Sequence, residues 1–519
     1  MGSPTSGDPE PILRENRMPL VRFTRPLLAL TLTGLAATAP AVFAAEAAVE
    51  EDTSNLLGIY RSALHNEPQL AAARHQYMAT REQIPQARAN LLPRLTASGS
   101  KETTWLKRNA AKGTGQAVAI VNGREEMVQT GAAGKTNQKG GGYTWQAQLS
   151  QPLFHLDSWY QLRAAKAQVD SAAADLAAQE QQLMFNSAKA YIQALQAQDA
   201  LSAKKAEAQS LKRQWDQAEA RLKGGMSSIT DVLDAKAAYD VARAELKRDE
   251  RNLDDAFEAI TRLTGQPITH IDGLRHNLPL LPPEPFNIQA WSKRAIAQSP
   301  QLEAAQLAIT AAEKQVYQRK ADHLPTLDLT ASYGSYDNDN YGYLNPQDDG
   351  SSPWSGRVNR KSIAVQLNVP LYTGGAVSSQ VRESIAQLSA SKDRWEDTRR
   401  KILEQTRNAF RAIDSDIDEV KARLETIKSS AESLKASQVG ADLGLRNTVD
   451  ILNAQRQLYD AVRDYNNARY DFILNTLTLK LAVGTLNPRD LAALAAYTKA
   501  DYDPDKDFLP PQAKKLKNS

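Results

Sequence analysis

The chain has 519 residues, with 63 Lys and Arg against 60 Asp and Glu, and it contains no cysteine. Without cysteine there can be no disulfide, no thiolate metal site and no lipid-modified N-terminal cysteine. The balanced charge gives no electrostatic support for nucleic-acid binding, so no nucleic acid is expected as a partner.

Residues 18–44 have the pattern of a secretory signal. Arg22 and Arg25 precede an apolar run rich in alanine and leucine, and the small residues that end at Ala44 suit signal-peptide cleavage. The alternative is an anchoring transmembrane helix, which the absence of following stop-transfer charges disfavours. We therefore interpret residues 1–44 as an upstream extension and a signal peptide.

The rest of the sequence contains two copies of one pattern. Three pairs of landmarks recur in the same order: Pro68 with Pro300, Pro93 with Pro325, and Asp231 with Asp450. Near-constant offsets of this kind indicate an internal repeat. We predict a first structural repeat over residues 45–272 and a second over 273–490, each with a helix, two β-strands and a long helical hairpin. Residues 491–519 are expected to form a C-terminal equatorial or disordered tail, dispensable from Asp501 onward.

Each repeat has a long stretch without glycine or proline. Residues 158–223 are rich in Ala, Gln, Leu, Lys and Glu, which are strong helix formers. This stretch predicts a helix roughly 100 Å long. Gly224 and Gly225 break it, and residues 228–263 predict a returning helix that ends at Gly265.

The second repeat has the same pattern of helices. A long helix is predicted over residues 376–439, a turn at Gly440 and Gly444, and a returning helix over 445–483. Shorter helices are predicted ahead of each strand pair, over residues 55–90 and 300–323.

Four runs alternate between apolar and polar residues, as strands with one apolar face do. They lie near Leu95, where the signal is weakest, and over residues 143–150, 327–333 and 362–369. Each run is long enough to cross a bilayer as a tilted strand, and aromatic residues cluster at the ends. Polar loops rich in Gly and Asn are predicted over residues 101–142 and 335–360.

A half-buried sheet in a soluble α+β protein would show the same alternation, so the strands alone leave two interpretations open. Chain geometry favours a membrane barrel shared between copies of the chain. Four strands cannot close a barrel on their own, and open sheet edges are not tolerated in lipid. Other copies of the chain must complete the sheet, and three copies give twelve strands around a water-filled lumen. The predicted fold class is therefore α+β, a homotrimer with a 12-stranded transmembrane β-barrel, four strands per chain, and a long α-helical barrel.

Several ordered motifs resemble the TolC family of outer-membrane exit ducts of Gram-negative bacteria. Besides the repeat itself, they are residues 323–330 (HLPTLDLT), 370–375 (PLYTGG), 229–232 (ITDV) and 448–452 (TVDIL). The resemblance covers nearly all of residues 50–490. It implies a TolC-like channel-tunnel that crosses the outer membrane and extends into the periplasm, and that serves tripartite drug efflux pumps or type I protein secretion.

The resemblance also implies the partners. They are outer-membrane lipid, two further copies of the chain, a periplasmic adaptor (membrane fusion) protein, and an inner-membrane transporter of RND, ABC or MFS type. The adaptor and the transporter are expected to open the duct at its periplasmic helix tips.

No catalytic chemistry is predicted. The six histidines have no metal-ligand spacing, and the sequence has no nucleophile elbow and no glycine loop that could cradle a phosphate. We therefore expect no enzyme activity, no catalytic residue, no metal and no cofactor.

A Gly-x5-Asp pattern occurs in both repeats, from Gly225 to Asp231 and from Gly444 to Asp450. Each acid falls in the first turns of a returning helix, where compensation of the helix dipole is the simplest interpretation. The resemblance implies more. Thr230 and Asp231 match the family's outer-coil gate partners. Arg446 matches the basic residue that binds them, across and within protomers, to close the periplasmic entrance. Asp450 matches a lumen-facing carboxylate at the constriction, where a ring of carboxylates would bind cations.

The turns at the helix tips are the expected docking points for the adaptor, and they contain Gly224, Gly225 and Gly444. Two positions depart from the family pattern. Ala441 replaces a tyrosine of the closing network, and Asn453 replaces a second acidic ring. We therefore expect a gate held by fewer bonds and a constriction with three carboxylates rather than six.

Two other classes of protein stay open on the residues alone. A periplasmic adaptor would have one helical hairpin flanked by Gly-rich strands, whereas this chain has two hairpins and four alternating strands. A structural coiled-coil protein would lack strands such as the one around Trp145. An outer-membrane channel is the interpretation that uses both kinds of element.

Overall fold

Strands and long helices follow each other in the same order in both halves of the chain. A computed structural model describes residues 54–110, 116–121, 123–129, 134–338, 356–443 and 445–510, so the predicted signal sequence lies outside the described residues. The elements of the first half are α1 (Leu56–Asn66), α2 (Pro68–Arg81), α3 (Gln83–Ala89), β1 (Arg94–Ala110), β2 (Gln116–Val121), β3 (Arg124–Gln129), β4 (Gly134–Phe154), α4 (Leu156–Lys223) and α5 (Ile229–Thr264). Those of the second half are β5 (Gly273–Leu274), α6 (Ile288–Gln298), α7 (Pro300–Ala321), β6 (Thr326–Asn338), β7 (Gly356–Asn368), α8 (Ala376–Asp442), α9 (Thr448–Val483), α10 (Pro488–Ala495), β8 (Thr498–Lys499) and α11 (Pro504–Asp507).

The two predicted helical hairpins are confirmed. The outgoing helices α4 and α8 have 68 and 67 residues, and the returning helices α5 and α9 have 36 each. Both returning helices end at a glycine with left-handed backbone, Gly265 and Gly484. Gly484 has a second constraint, because a Cβ there would lie 2.4 Å from the carbonyl oxygen of Gln298. Only glycine fits such an approach without a shift of the backbone.

The long helices lie side by side. α5 packs on α4, α4 on α9, and α9 on α8, while α7 packs against both α4 and α8. Helices of the first and second halves therefore pack against each other and share one core. None of the helices in the described ranges is both long enough and apolar enough to cross a membrane.

The main hydrophobic core lies at mid-length of α4 and α8, against the C-terminal parts of α5 and α9. Its fully buried side chains include Tyr191 and Leu195 of α4, Ile260 of α5, Ile402 of α8 and Tyr470 of α9. Toward the hairpin tips the core is reduced to small clusters built mostly from alanine, such as Ala218 and Ala235 with Val232. The described residues all belong to one compact unit, Glu51–Ser519.

The four main strands form one antiparallel sheet in the order β1-β4-β6-β7. The predicted weakness near Leu95 does not limit β1, which pairs with β4 along its whole length. The prediction of an irregular loop over 101–142 is wrong for much of that segment, because Glu102–Ala110 pairs with Gly134–Gly142 and β2 pairs with β3. Gly, Asn and Lys are weak strand formers, but backbone pairing that begins in the sheet continues through them.

The predicted loop over 335–360 is also shorter than expected. β6 extends to Asn338 and β7 begins at Gly356, and the residues between them lie outside the described part of the chain. Within one copy, β1 and β7 are the two outer strands of this sheet.

The prediction of a disordered tail is wrong for residues 501–510. Phe508 is fully buried, and Tyr502 and Leu509 are buried beside it. Phe508 and Leu509 pack on α8 and α9 next to Val420 and Val462. The proline-rich, charged sequence suggested disorder, but three apolar side chains are sufficient to anchor it. Residues 511–519 lie outside the described residues.

Candidate channel and gate

The four-stranded sheet has one apolar and one polar face. Leu95, Leu149, Ala331 and Ile363 form a row across all four strands. Ile363 is 81% exposed and Leu95 is 73% exposed. A continuous exposed apolar surface of this kind is typical of a surface that contacts lipid or another protein.

The opposite face carries small polar side chains. Thr96, Gln148, Ser332 and Ser362 lie in one row across the sheet. The hydroxyls of Ser332 and Ser362 are hydrogen-bonded at 2.7 Å. This face suits contact with water, so the sheet has the two sides of a barrel wall, one toward lipid and one toward a lumen.

Aromatic side chains mark both ends of the apolar face. At the end away from the helices, Trp145 and Tyr333 make an edge-to-face contact with ring centroids 5.3 Å apart. At the helix end, Phe154, Leu371 and Tyr372 are exposed, with Tyr372 at 88%. Aromatic residues at the two ends of an apolar band are typical of membrane-spanning barrels.

The tip of the first helical hairpin is a tight glycine turn. The N–H of Gly224 donates to the carbonyl of Ala220, and Gly225 has a positive φ of 72°. The turn projects apolar side chains outward, with Met226 at 77% and Ile229 at 58% exposure. Such side chains are available for a partner that meets the tip.

Asp231 is fixed by the start of the returning helix α5. Its carboxylate accepts hydrogen bonds from the Ser228 N–H at 3.0 Å and from the hydroxyls of Ser227 and Ser228, both at 2.9 Å. The Ser228 hydroxyl in turn accepts from the Asp231 N–H, which completes a capping box. These bonds, the Ser228 N–H first, hold the pKa of the Asp231 carboxyl below its usual value. The carboxylate is therefore ionised at neutral pH.

The second tip repeats this arrangement. Asn447 accepts from the Asp450 N–H at 2.8 Å, and the Asp450 carboxylate accepts from the Asn447 N–H at 3.3 Å. Arg446 lies over the last turn of α8, where a Cβ on Gly440 would be 2.8 Å from the Arg446 Cγ. Gly440 was predicted as part of the turn, but it lies inside α8. Because it has no side chain, it leaves room for the arginine. Leu443 and Leu445 are 69% and 78% exposed beside it.

The predicted gate residues all lie at the two tips, but one chain does not join all of them. Arg446 Nη1 lies 3.9 Å from an Asp450 carboxylate oxygen. Within the described part of one chain, no ion pair links Arg446 to Asp231, which is held by its own serines. Thr230 is exposed. Gly444 lies outside the described residues.

A buried polar cluster escaped the sequence analysis. The Asp199 carboxylate of α4 is 2% exposed and accepts hydrogen bonds from the hydroxyls of Tyr470 at 2.8 Å and Tyr502 at 2.6 Å. Burial raises the pKa of Asp199 to about 6, against the lowering effect of the two hydroxyls. No local pattern marks this acid, because its partners are 271 and 303 residues away along the chain.

A second contact holds the same tail segment. Arg469 donates to the Arg275 carbonyl at 2.6 Å and to the Nδ1 of His276 at 2.8 Å, and the Nε2 of His276 donates to the Asp507 carbonyl at 2.9 Å.

In the described residues no group of three or more His, Asp or Glu side chains is placed to hold a metal ion.

Comparison with known proteins agrees with this architecture. The outer membrane efflux protein family matches residues 59–266 and 291–485. The chain is 30% identical to outer membrane protein TolC of Escherichia coli over 85% of this chain and 84% of that protein. It is 28% identical to the alkaline protease secretion protein AprF of Pseudomonas aeruginosa over 85% of this chain and 86% of AprF. Among solved structures, the outer-membrane channel OprN gives a TM-score of 0.67 at 18% identity, covering 83% of this chain and 90% of that one. The open state of the Neisseria gonorrhoeae MtrE outer membrane channel gives 0.64 at 19% identity, covering 84% and 91%.

The fold and the two-sided sheet define a TolC-like channel-tunnel of class α+β, as predicted. The chain belongs to the outer membrane efflux protein family. It is an outer-membrane channel for efflux or secretion that extends into the periplasm, and its relatives are channel proteins rather than enzymes.

Proposed function

We propose that three copies of this chain form one channel, with a 12-stranded barrel in the outer membrane and a helical tunnel below it. The four-stranded sheet carries the proposal. It has an apolar face, a polar face and two outer strands, β1 and β7, that neighbouring copies would pair. Sheets in lipid must be closed, and twelve strands leave a lumen wide enough for solutes.

The same architecture supports a non-enzymatic role. Exported solutes would pass through the helical tunnel and then along the polar sheet face, with no covalent step. The 28% identity to an alkaline protease secretion protein supports protein export as one use. The similarity to TolC supports drug efflux as another, with an adaptor and an inner-membrane transporter of RND, ABC or MFS type as partners.

We place the gate at the helix tips. Arg446 is 58% exposed at its side chain and Asp231 is charged, so both are available for an ion pair between copies, with Thr230 beside Asp231. An exposed ion pair contributes about 0 to 1 kcal/mol, so three copies stabilise the closed state by up to roughly 3 kcal/mol. An adaptor needs only a modest difference in affinity to overcome this. The exposed Met226 and Leu445 beside the glycine turns provide its docking surface.

One experiment tests the assembly and the gate together. The full chain is purified in mild detergent, its mass is measured, and single channels are recorded in planar bilayers. We expect a trimer with a low-conductance closed state, and a higher conductance for Arg446→Ser at unchanged trimer mass. Lys392→Ser, an exposed lysine far from the tip, is the control. A monomeric protein without conductance would refute the channel, and equal conductance of Arg446→Ser and wild type would refute the gate.

A further inference from the structure

Along each strand, the run of side chains on the apolar face ends differently on the outer and the inner strands of the sheet. On the inner strands β4 and β6 the rows end in Tyr143 and Tyr333. On the outer strands the first charged side chain on this face is a lysine: Leu95, Ala97 and Gly99 are followed by Lys101 on β1, and Leu367, Val365 and Ile363 by Lys361 on β7. Both lysines are exposed.

Each lysine lies over the neighbouring tyrosine. The Lys101 Nζ is 5.0 Å from the ring centroid of Tyr143, and the Lys361 Nζ is 5.4 Å from that of Tyr333. Neither ammonium group has a carboxylate within ion-pair distance among the described residues. A ring face orients an ammonium group but does not neutralise its charge, and its remaining N–H donors are available to an anion.

The position of the lysines fixes the membrane leaflet. α4 begins two residues after β4 ends at Phe154. Both lysines lie about midway along β1 and β7, at the end of the apolar run that is farther from the helices. If the helices are periplasmic, the lysines lie at the level of the outer-leaflet headgroups. Ala97 of β1 pairs in the same row as Lys361 of β7, so Lys101 is offset from Lys361 by four residues along the strand. Strands tilted by 35–45° shift by about four residues over three strand steps, which matches this offset.

The trimer brings the two lysines together. β1 and β7 are the outer strands of one copy, so in the closed barrel β7 of one copy pairs with β1 of the next. Lys361 and the neighbouring copy's Lys101 are then on adjacent strands at each of three seams. Below them lie Leu95 and Ile363, both more than 70% exposed. Each seam thus joins two unneutralised cations to an apolar surface beneath them.

We propose that each seam binds one anionic glycolipid of the outer leaflet, with Lys101 and Lys361 contacting its phosphate and the apolar rows contacting its acyl chains. The proposal rests on the trimer of the proposed function. Charge complementarity selects a phosphorylated headgroup, since a neutral one leaves both ammonium groups unpaired.

Native mass spectrometry of the detergent-solubilised trimer tests this inference. The probe is a bis-phosphorylated, hexa-acylated glucosamine disaccharide, and the comparison is the same glycolipid without phosphates. We expect up to three bound probes per trimer and much weaker binding of the dephosphorylated form. Each lysine near an anionic group contributes about fivefold, so Lys101→Gln with Lys361→Gln should weaken binding about 25-fold. The double Arg variant should retain affinity, and Lys392→Gln on α8 should bind as wild type.

Three results would overturn the site. They are equal binding of both glycolipids, an unchanged affinity in the double Gln variant, and full displacement of the probe by millimolar inorganic phosphate, which would assign the site to a free anion. The same spectra report the oligomer mass. A missing trimer therefore refutes the proposed function, whereas an intact trimer without lipid refutes only this site.

Discussion

At the scale of single residues, the least expected feature is the buried carboxylate of Asp199. Its pKa is raised to about 6, so between about pH 4 and 6 the folded chain binds a proton that the unfolded chain has lost. Stability therefore falls as pH rises through this window, and the ionised carboxylate costs on the order of 3 kcal/mol by the time it is fully charged. Hydrogen bonds from Tyr470 and Tyr502 limit this cost.

Tyr502→Phe is predicted to destabilise the protein in a pH-dependent way. At pH 7.5 it removes a hydrogen bond to a charged group, worth about 1.5 to 3 kcal/mol. At pH 4.5 the carboxyl is protonated and the loss should be smaller. Thermal unfolding of the purified protein at one fixed scan rate measures both. Tyr317→Phe, an exposed tyrosine of α7, controls for loss of a hydroxyl elsewhere. An equal loss at the two pH values would show that Asp199 does not titrate in this range.

Asp450 is predicted to set the ion selectivity of the channel. Three of these carboxylates converging near the axis favour cations and bind multivalent ones. Asp450→Asn should abolish block by multivalent cations in bilayer recordings, while Asp231→Asn, the same change in the other capping box, should leave the block intact. A block that survives Asp450→Asn with unaltered affinity would place Asp450 away from the constriction.

At the scale of elements, the C-terminal segment acts as part of the helical domain. Removing everything after Ala500 takes away buried Phe508, and loss of one buried aromatic side chain typically costs about 3–5 kcal/mol. We predict that this truncation lowers the yield and the thermal stability of the protein. Truncation after Pro510 is the matched control and should behave as wild type. If both truncations are equally stable, the packing of residues 501–510 is dispensable.

At one level along the helical layer, the helices at its two edges expose opposite charges. α5 exposes Asp255 and Glu258, and α8 exposes Arg407 and Arg411. Counted from the hairpin tips, Glu258 and Arg411 both lie about 45 Å up their helices. In a closed ring α5 of one copy meets α8 of the next, so these charges would form ion pairs across the seam.

Charge reversal tests this seam. Arg407→Glu with Arg411→Glu should reduce the trimer fraction in detergent, because each attractive pair, worth about 0 to 1 kcal/mol, becomes repulsive. Reversing Asp255 and Glu258 to arginine in the same chain should restore it. Failure of the fourfold variant to recover would mean that these helices are not neighbours.

At the scale of the whole molecule, the channel is predicted to determine what the cell can export. Deleting the gene should increase sensitivity to detergents, dyes or hydrophobic antibiotics, or stop the secretion of a protein substrate. Minimum inhibitory concentrations and the secreted proteome measure these effects, and expression of the gene from a plasmid should reverse them. Unchanged susceptibility and secretion in a strain without a second exit duct would contradict the function.

Much of the fold could be predicted from the sequence because it depends on local patterns. The glycine-free stretch over residues 158–223 specified α4, and the alternation around Trp145 specified β4. Contacts distant in sequence were not predictable. The tail was predicted to be disordered because its own sequence is rich in charged residues and proline. The residues that hold it in place, such as Asp199 and Val462, are distant in the sequence and could not be identified from it. At the gate, the sequence placed Asp231 correctly at a helix start, but its serine partners became clear only from the capping geometry.

The uneven packing along α4 has a mechanical consequence. The main core ends near Leu195 on α4, and below that point smaller separate clusters around Ala203, Leu211 and Ala218 hold the hairpins together. The main core is therefore a fulcrum, and the segment down to Lys223 is a lever arm about 42 Å long. A rotation of only about 10° at the fulcrum moves the tip sideways by about 7 Å, the width of a small solute. The periplasmic end can thus dilate widely while the strands, on the far side of the fulcrum, stay in register.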